Sequence, residues 1–262
     1  MTGTDLVLYI LVFLYGIVIG SFLNVCIYRL PKGESIVVVS SHCVSCNHKL
    51  KWYDLFPLFS WLFLGGKCRY CGAKISVQYP IVEAVNGILY VLIFAMKGFN
   101  VDAVLLCLVA SALIVISVID YRTMLIPIAT YIMILLMGII QFVYHFIVTE
   151  NYNWSYYVIG FFFTGGFLLV IALLFKGITG KGGLGLGDIE FMACAGLFLG
   201  WGHGLFAIII GSVAGILIEC VKMAIKKERG KFPFGPYLSA GVLIAALWGD
   251  TLLEIYKKMI GM

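Results

Sequence analysis

The chain has 262 residues, 62% of them hydrophobic and only 12% charged, with a mean hydropathy of +1.06. That much apolar surface excludes an ordinary soluble domain and suits a bundle of membrane helices. The net charge of +5 does not point to nucleic acid, because the 18 Lys and Arg are scattered over short loops, where they act as topology signals.

The first apolar run covers residues 6–28, with no Lys or Arg before it and no small-residue cleavage pattern after it. It is expected to be a retained membrane helix, not a removed signal peptide. A polar insert follows over 29–80, made turn-rich by Pro31, Gly33, Pro57, Gly65 and Gly66. Seven more apolar segments are expected near 81–96, 101–119, 124–148, 154–176, 189–200, 205–224 and 235–256. The 189–200 segment gives only about 18 Å of helix against a ~30 Å hydrocarbon core, so it merges with its neighbours or spans incompletely. The expected fold is all-α and polytopic, with about eight transmembrane helices. Three parts are expected: a first helix (1–28), a cytoplasmic zinc-binding insert (29–80) and a membrane bundle (81–262).

Charge sets the expected orientation. With the amino terminus outside, the inner segments hold fifteen of the 18 Lys and Arg, and only Lys97, Lys257 and Lys258 fall outside. Asp5, Asp102, Glu150, Asp250 and Glu254 also fall on the outer side. The insert, Asp120, Asp188 and the 226–234 loop then share the cytoplasmic face of a multi-pass membrane protein.

Four of the eight cysteines, Cys26, Cys107, Cys194 and Cys220, lie singly in apolar runs and read as small core residues. The other four form two CxxC pairs in the insert, Cys43 with Cys46 and Cys68 with Cys71. Four thiolates at this spacing suit a tetrahedral, structural Zn²⁺ site, and a reducing compartment favours metal over disulfides. Asn47 and Gly72 each follow a pair, as a tight turn requires. His42 and His48 read as solvated loop residues.

The glycine-crowded stretch 177–190, GITGKGGLGLGDIE, delivers Asp188 to the mouth of an apolar segment, and Asp120 closes the apolar run LIVISVI. An acid at such a place is a functional candidate. Two carboxylates sharing a proton can hydrolyse a peptide bond, one accepting a proton from water while the other donates to the carbonyl oxygen. A capping or snorkelling pair is the plainer alternative. A cation or proton transporter is another, although both acids lie at one membrane face and no repeat is visible. The stretch lacks GxxxxGK[ST], so it is not read as a phosphate loop. Asn24 and Ser21 are expected to make helix–helix hydrogen bonds, and Glu219 to reach the interface.

These residues resemble the type IV prepilin peptidases, bifunctional leader peptidase/N-methyltransferases of the GxGD intramembrane aspartyl protease class. The resemblance runs through GSFLNVCIYRLP (20–31), the double CxxC with KWYDLFPLFSWLFLGGKCRYCG (51–72) and ISVQYPIVE (75–83). It continues in SVIDYRTMLIP (117–127), GLGD (185–188) and FPFGPYLSAG (232–241). It implies Asp120 and Asp188 as catalytic acids, with Gly185, Gly187, Pro233, Gly235 and Pro236 in active-site loops. It implies cleavage of a basic leader after a glycine in prepilin or pseudopilin substrates, in the bacterial inner membrane. Methylation of the new amino terminus by S-adenosylmethionine follows, with Glu83, Asp54 and Gly20 as candidates for that half. Departures from the family pattern are Val44 for proline, Gln78 for arginine, Ile128 for an acid and Glu190 for lysine.

Overall fold

The computed structural model describes residues 3–37, 41–149, 152–180, 182–226 and 232–259. Glu150, Lys181 and the basic residues of 227–231, which the orientation reading uses, lie outside them. The described chain is helical. Its long elements are α1 (Gly3–Arg29), α3 (Gln78–Lys97), α4 (Val101–Thr123), α5 (Ile128–Val148), α6 (Trp154–Thr179), α8 (Trp201–Lys226) and α9 (Gly235–Met259). Two shorter ones are α2 (Phe59–Phe63) and α7 (Leu186–Leu199). Among the described residues, seven helices are long and apolar enough to cross a membrane. The eighth expected segment is α7, with 14 residues.

The chain divides into two compact units between Ala103 and Val104. In the first, α1 and α3 run antiparallel in close contact. A Cβ on Gly16 would sit 2.7 Å from the Gly87 Cα, and one on Gly20 would sit 2.7 Å from the Glu83 Cα. Small residues let two backbones approach this closely where no hydrophobic drive pushes helices together. Side-chain amides lock the register, Asn86 Nδ2 donating to the Gly16 carbonyl at 2.7 Å and Asn24 Nδ2 to that of Tyr79 at 3.1 Å. Asn24 thus makes the interhelical bond expected of it.

In the second unit, α7 packs against α5, α6, α8 and α9. It buries Phe191, Met192, Cys194, Ala195, Gly196, Phe198 and Leu199. Because protein covers it, its length need not match the bilayer, which is how so short a helix persists. It does not merge with α8: Gly200, at φ +82°, breaks the chain between them. On α6, Gly160 faces Gly196 so closely that a Cβ on either would meet the other's carbonyl oxygen. Beside this contact the buried Thr164 hydroxyl donates to the Met192 carbonyl at 2.7 Å. Cys26, Cys107 and Cys194 are buried as expected, whereas Cys220 lies exposed on α8.

Candidate active site and metal centre

In the insert of the first unit, the two CxxC pairs fold into matching knuckles. The Cys43 amide donates to the His48 carbonyl, and the Cys43 carbonyl accepts from the Asn47 amide at 2.8 Å. Cys68 repeats the pattern with Ala73 and with Gly72 at 2.9 Å. Asn47 at φ +54° and Gly72 at φ +70° provide the left-handed turns. Isolated bridges, His42 with Lys49 and Lys67 with Lys74, close each knuckle. The four Sγ atoms lie within 4.8 Å of one another, with Cys43 and Cys71 at 3.9 Å. Tetrahedral Zn–S bonds of about 2.3 Å put sulfurs about 3.8 Å apart, so the cluster fits that ion. The Cys46 amide, its strongest influence, draws the Cys43 thiol down to about 6, towards the thiolate a metal requires.

Above the knuckles a cavity of about 630 Å³ is lined by Tyr28, Asp54, Trp61, Arg69 and Glu83, among others. Asp54 accepts from Arg69 Nε at 2.7 Å and from the Tyr70 hydroxyl at 3.0 Å. Burial opposes its charge, but these bonds and the Lys51 amide hold it below the usual carboxylate range. Glu83 Oε2 accepts the Leu58 amide at 2.7 Å, and the Ser21 hydroxyl also bonds this carboxylate. Of the three residues expected here, Asp54 and Glu83 reach the cavity. Gly20 lies instead in the α1–α3 contact, directly behind Glu83.

The second unit holds the two aspartates. Asp120 is 5% exposed near the end of α4, and its Oδ2 accepts the Gly235 amide at 2.7 Å. That amide opens α9, where the helix terminus favours a carboxylate. Gly235 is required by contact: a Cβ there would lie 2.8 Å from Asp120 Oδ2. Pro236 fits the first turn, where its missing N–H costs nothing. Pro233 lies two residues before Gly235 in the segment that leads into α9.

Asp188 sits in the first turn of α7, three residues after the N-cap Gly185. Its carboxylate reaches back to the Gly185 amide, the acid half of a capping box. A Cβ on Gly187 would meet Ile126 at 3.2 Å, so that glycine lets the turn approach the α4–α5 connection. Asp188 lies within electrostatic reach of Asp120. Asp188 Oδ1 is buried without a hydrogen-bond partner. The protein itself supplies no donor to that buried oxygen, which sets it apart from the satisfied polar groups of the bundle.

Beside this site lies a cluster that sequence reasoning missed. Glu219, expected at the interface, accepts from Lys222 Nζ at 2.6 Å and from the Tyr237 hydroxyl. Tyr237 follows Gly235 by two residues, so the cluster ties the start of α9 to α8. The i,i+3 spacing of Glu219 and Lys222 was the available signal; the tyrosine gave none.

Residues 14–97 match the bacterial peptidase A24 N-terminal domain, and residues 107–220 match the type IV leader peptidase family. A prepilin leader peptidase/N-methyltransferase of Stutzerimonas stutzeri is 32% identical, over 93% of this chain and 91% of its own length. The chain belongs to this family. A Pseudomonas aeruginosa relative of the same description is 31% identical over 95% of this chain and 93% of its own length. One from Bacillus subtilis is 30% identical over 95% of this chain and 98% of its own length. No solved structure matches the chain.

Proposed function

We propose that this membrane protein removes the leader peptide of type IV prepilin-like substrates and then methylates the new amino terminus. The observation that carries the peptidase half is the Asp120–Asp188 pair, with one oxygen of Asp188 buried and unpartnered. The pair acts as a unit, holding one proton between two carboxyls. One carboxylate takes a proton from the attacking water while the other protonates the scissile carbonyl oxygen; collapse of the intermediate passes a proton to the leaving amine. Gly185 keeps a side chain off Asp188, Gly187 lets the turn close against Ile126, and Gly235 holds Asp120 by its amide. Pro233 and Pro236 stiffen the approach, along which an extended substrate backbone can lie.

The methyltransferase half belongs to the first unit. Zn²⁺ on Cys43, Cys46, Cys68 and Cys71 would be structural, since four sulfurs complete its coordination. S-adenosylmethionine supplies an electrophilic methyl group when bound. The cavity has the size of a small-molecule site. Tyr28 and Trp61 offer aromatic faces there, and Asp54 and Glu83 offer carboxylates suited to a sulfonium and an incoming amine. Gly20 acts as the spacer that seats Glu83. The charge bias supports an outer amino terminus with both sites at the cytoplasmic face of the bacterial inner membrane. Substrates serving pili or secretion, with a basic leader ending in glycine, suit that face.

The test is incubation of the zinc-loaded protein in lipid with a prepilin-like peptide and methyl-labelled S-adenosylmethionine. Leader release followed by label on the new amino terminus is expected. Release without label would leave a peptidase whose insert serves another purpose; no release would remove the proposal.

A further inference from the structure

The insert carries a surface that neither activity uses. Its segment 51–64 folds as a hairpin, a 3₁₀ turn over Trp52–Leu55 followed by α2. On one side Trp61 Nε1 donates to the Ile75 carbonyl, facing the insert's interior. On the other, Trp52 is 79% exposed, Leu62 63% and Phe63 85%, with Phe56 and Phe59 beside them. Trp52, Tyr53, Phe56, Phe59 and Phe63 line one shallow groove. A module bathed in water does not display five large apolar side chains together without a partner.

The partner is indicated by where the hairpin is pinned. Leu58, at its bend, has the unfavourable φ of +60°. Its amide is held by Glu83, five residues into α3 and therefore about 7.5 Å along a membrane-spanning helix. The opposite helix reaches this level at Gly20, nine residues before its end at Arg29. The bend thus hangs where both helices already lie within their apolar runs. The insert as a whole is basic, with seven Lys and Arg against Glu34 and Asp54 over residues 29–77. Lys51 and Arg69 flank the Tyr53 ring, as cations do where aromatic side chains meet headgroups.

We propose that the 52–63 hairpin is an interfacial anchor that beds the insert into an anionic lipid surface. Trp52, Phe56, Phe59, Leu62 and Phe63 enter the headgroup–acyl boundary while the lysines meet lipid phosphates. The methyltransferase cavity is thereby held at the membrane plane, at the height where a membrane-embedded substrate presents its amino terminus. The anchor itself requires only that α1 and α3 cross the bilayer.

The full chain, zinc-loaded and in nanodiscs of phosphatidylethanolamine and phosphatidylglycerol, would carry p-benzoylphenylalanine in place of Trp52, Trp61, Phe63 or, as a span control, Leu11. After illumination, mass spectrometry identifies the adducts, and zinc content reports folding. Lipid adducts are expected at positions 11, 52 and 63 and not at 61, rising at 52 and 63 with the phosphatidylglycerol share. Adducts at 11 with none at 52 or 63 would overturn the anchor. So would capture at 63 of a second copy of the chain or of an added prepilin peptide. Absence of lipid at 11 would instead remove the membrane assignment of α1.

Discussion

The cysteine knuckles and the aspartate pair are organised by opposite means. In the insert, each pair of cysteines lies three residues apart and one local turn aims both sulfurs, so a bound ion would complete the fold. In the second unit, Asp120 and its Gly235 partner are 115 residues apart, and nothing local brings them together. Gly235 meets Asp120 only because it has no side chain, and α7, which carries Asp188, is seated through the Gly160–Gly196 approach. A ligand-organised site should therefore fail when its ion is removed, and a packing-organised site when a methyl group is added.

The largest expected effect comes from either acid. Asp120→Asn or Asp188→Asn should lower leader cleavage by about 10²–10⁴-fold, the usual worth of proton transfer, and in practice abolish it. Methylation of a pre-cleaved peptide, measured on the same preparation, should persist. Next is Cys43→Ser. A structural zinc site contributes on the order of 10 kcal/mol to a small module, so the insert should become protease-sensitive and lose methylation while cleavage continues. Gly196→Ala should do the reverse. Its Cβ meets the Gly160 carbonyl, and such overpacking costs about 1–3 kcal/mol. Thermal unfolding should show the loss, with cleavage reduced and zinc content unchanged.

Smaller effects separate the units further. Thr164→Val removes a buried bond between α6 and α7, worth about 1 kcal/mol, and should lower the unfolding temperature by a few degrees without touching methylation. Asp54→Asn should act on the insert alone. The folded value of Asp54 lies below its unfolded one, so its stabilisation is present above about pH 4 and is lost as pH falls through the depressed folded value. Wild-type insert should loosen in that acid range, and the variant should show a flatter acid dependence by limited proteolysis at fixed zinc.

The same contrast explains what was legible in the chain. The knuckles, their turn residues Asn47 and Gly72, and the membrane helices are written in local spacing and apolar length. Asp120 and Asp188 stood out because acids are scarce in such a sequence, and the shortness of α7 was visible too. What covers α7, and so permits that shortness, was not. The Gly235 amide on Asp120 could not be read, since it depends on how α4 meets the start of α9. Gly20 illustrates a subtler limit: a glycine beside a site can serve helix approach, and sequence alone does not separate that from ligand contact. The Glu219–Lys222–Tyr237 cluster stayed hidden because its tyrosine lies on a different helix.

The most direct test of two separately organised sites uses one protein, Asp188→Asn, and two peptides, one with its leader and one already cleaved. Undiminished methylation of the cleaved peptide, with no leader release from the other, is the expected result. Wild-type leader release by this variant would contradict the assignment of Asp188, and loss of both activities in a folded, zinc-loaded protein would contradict the separation of the sites.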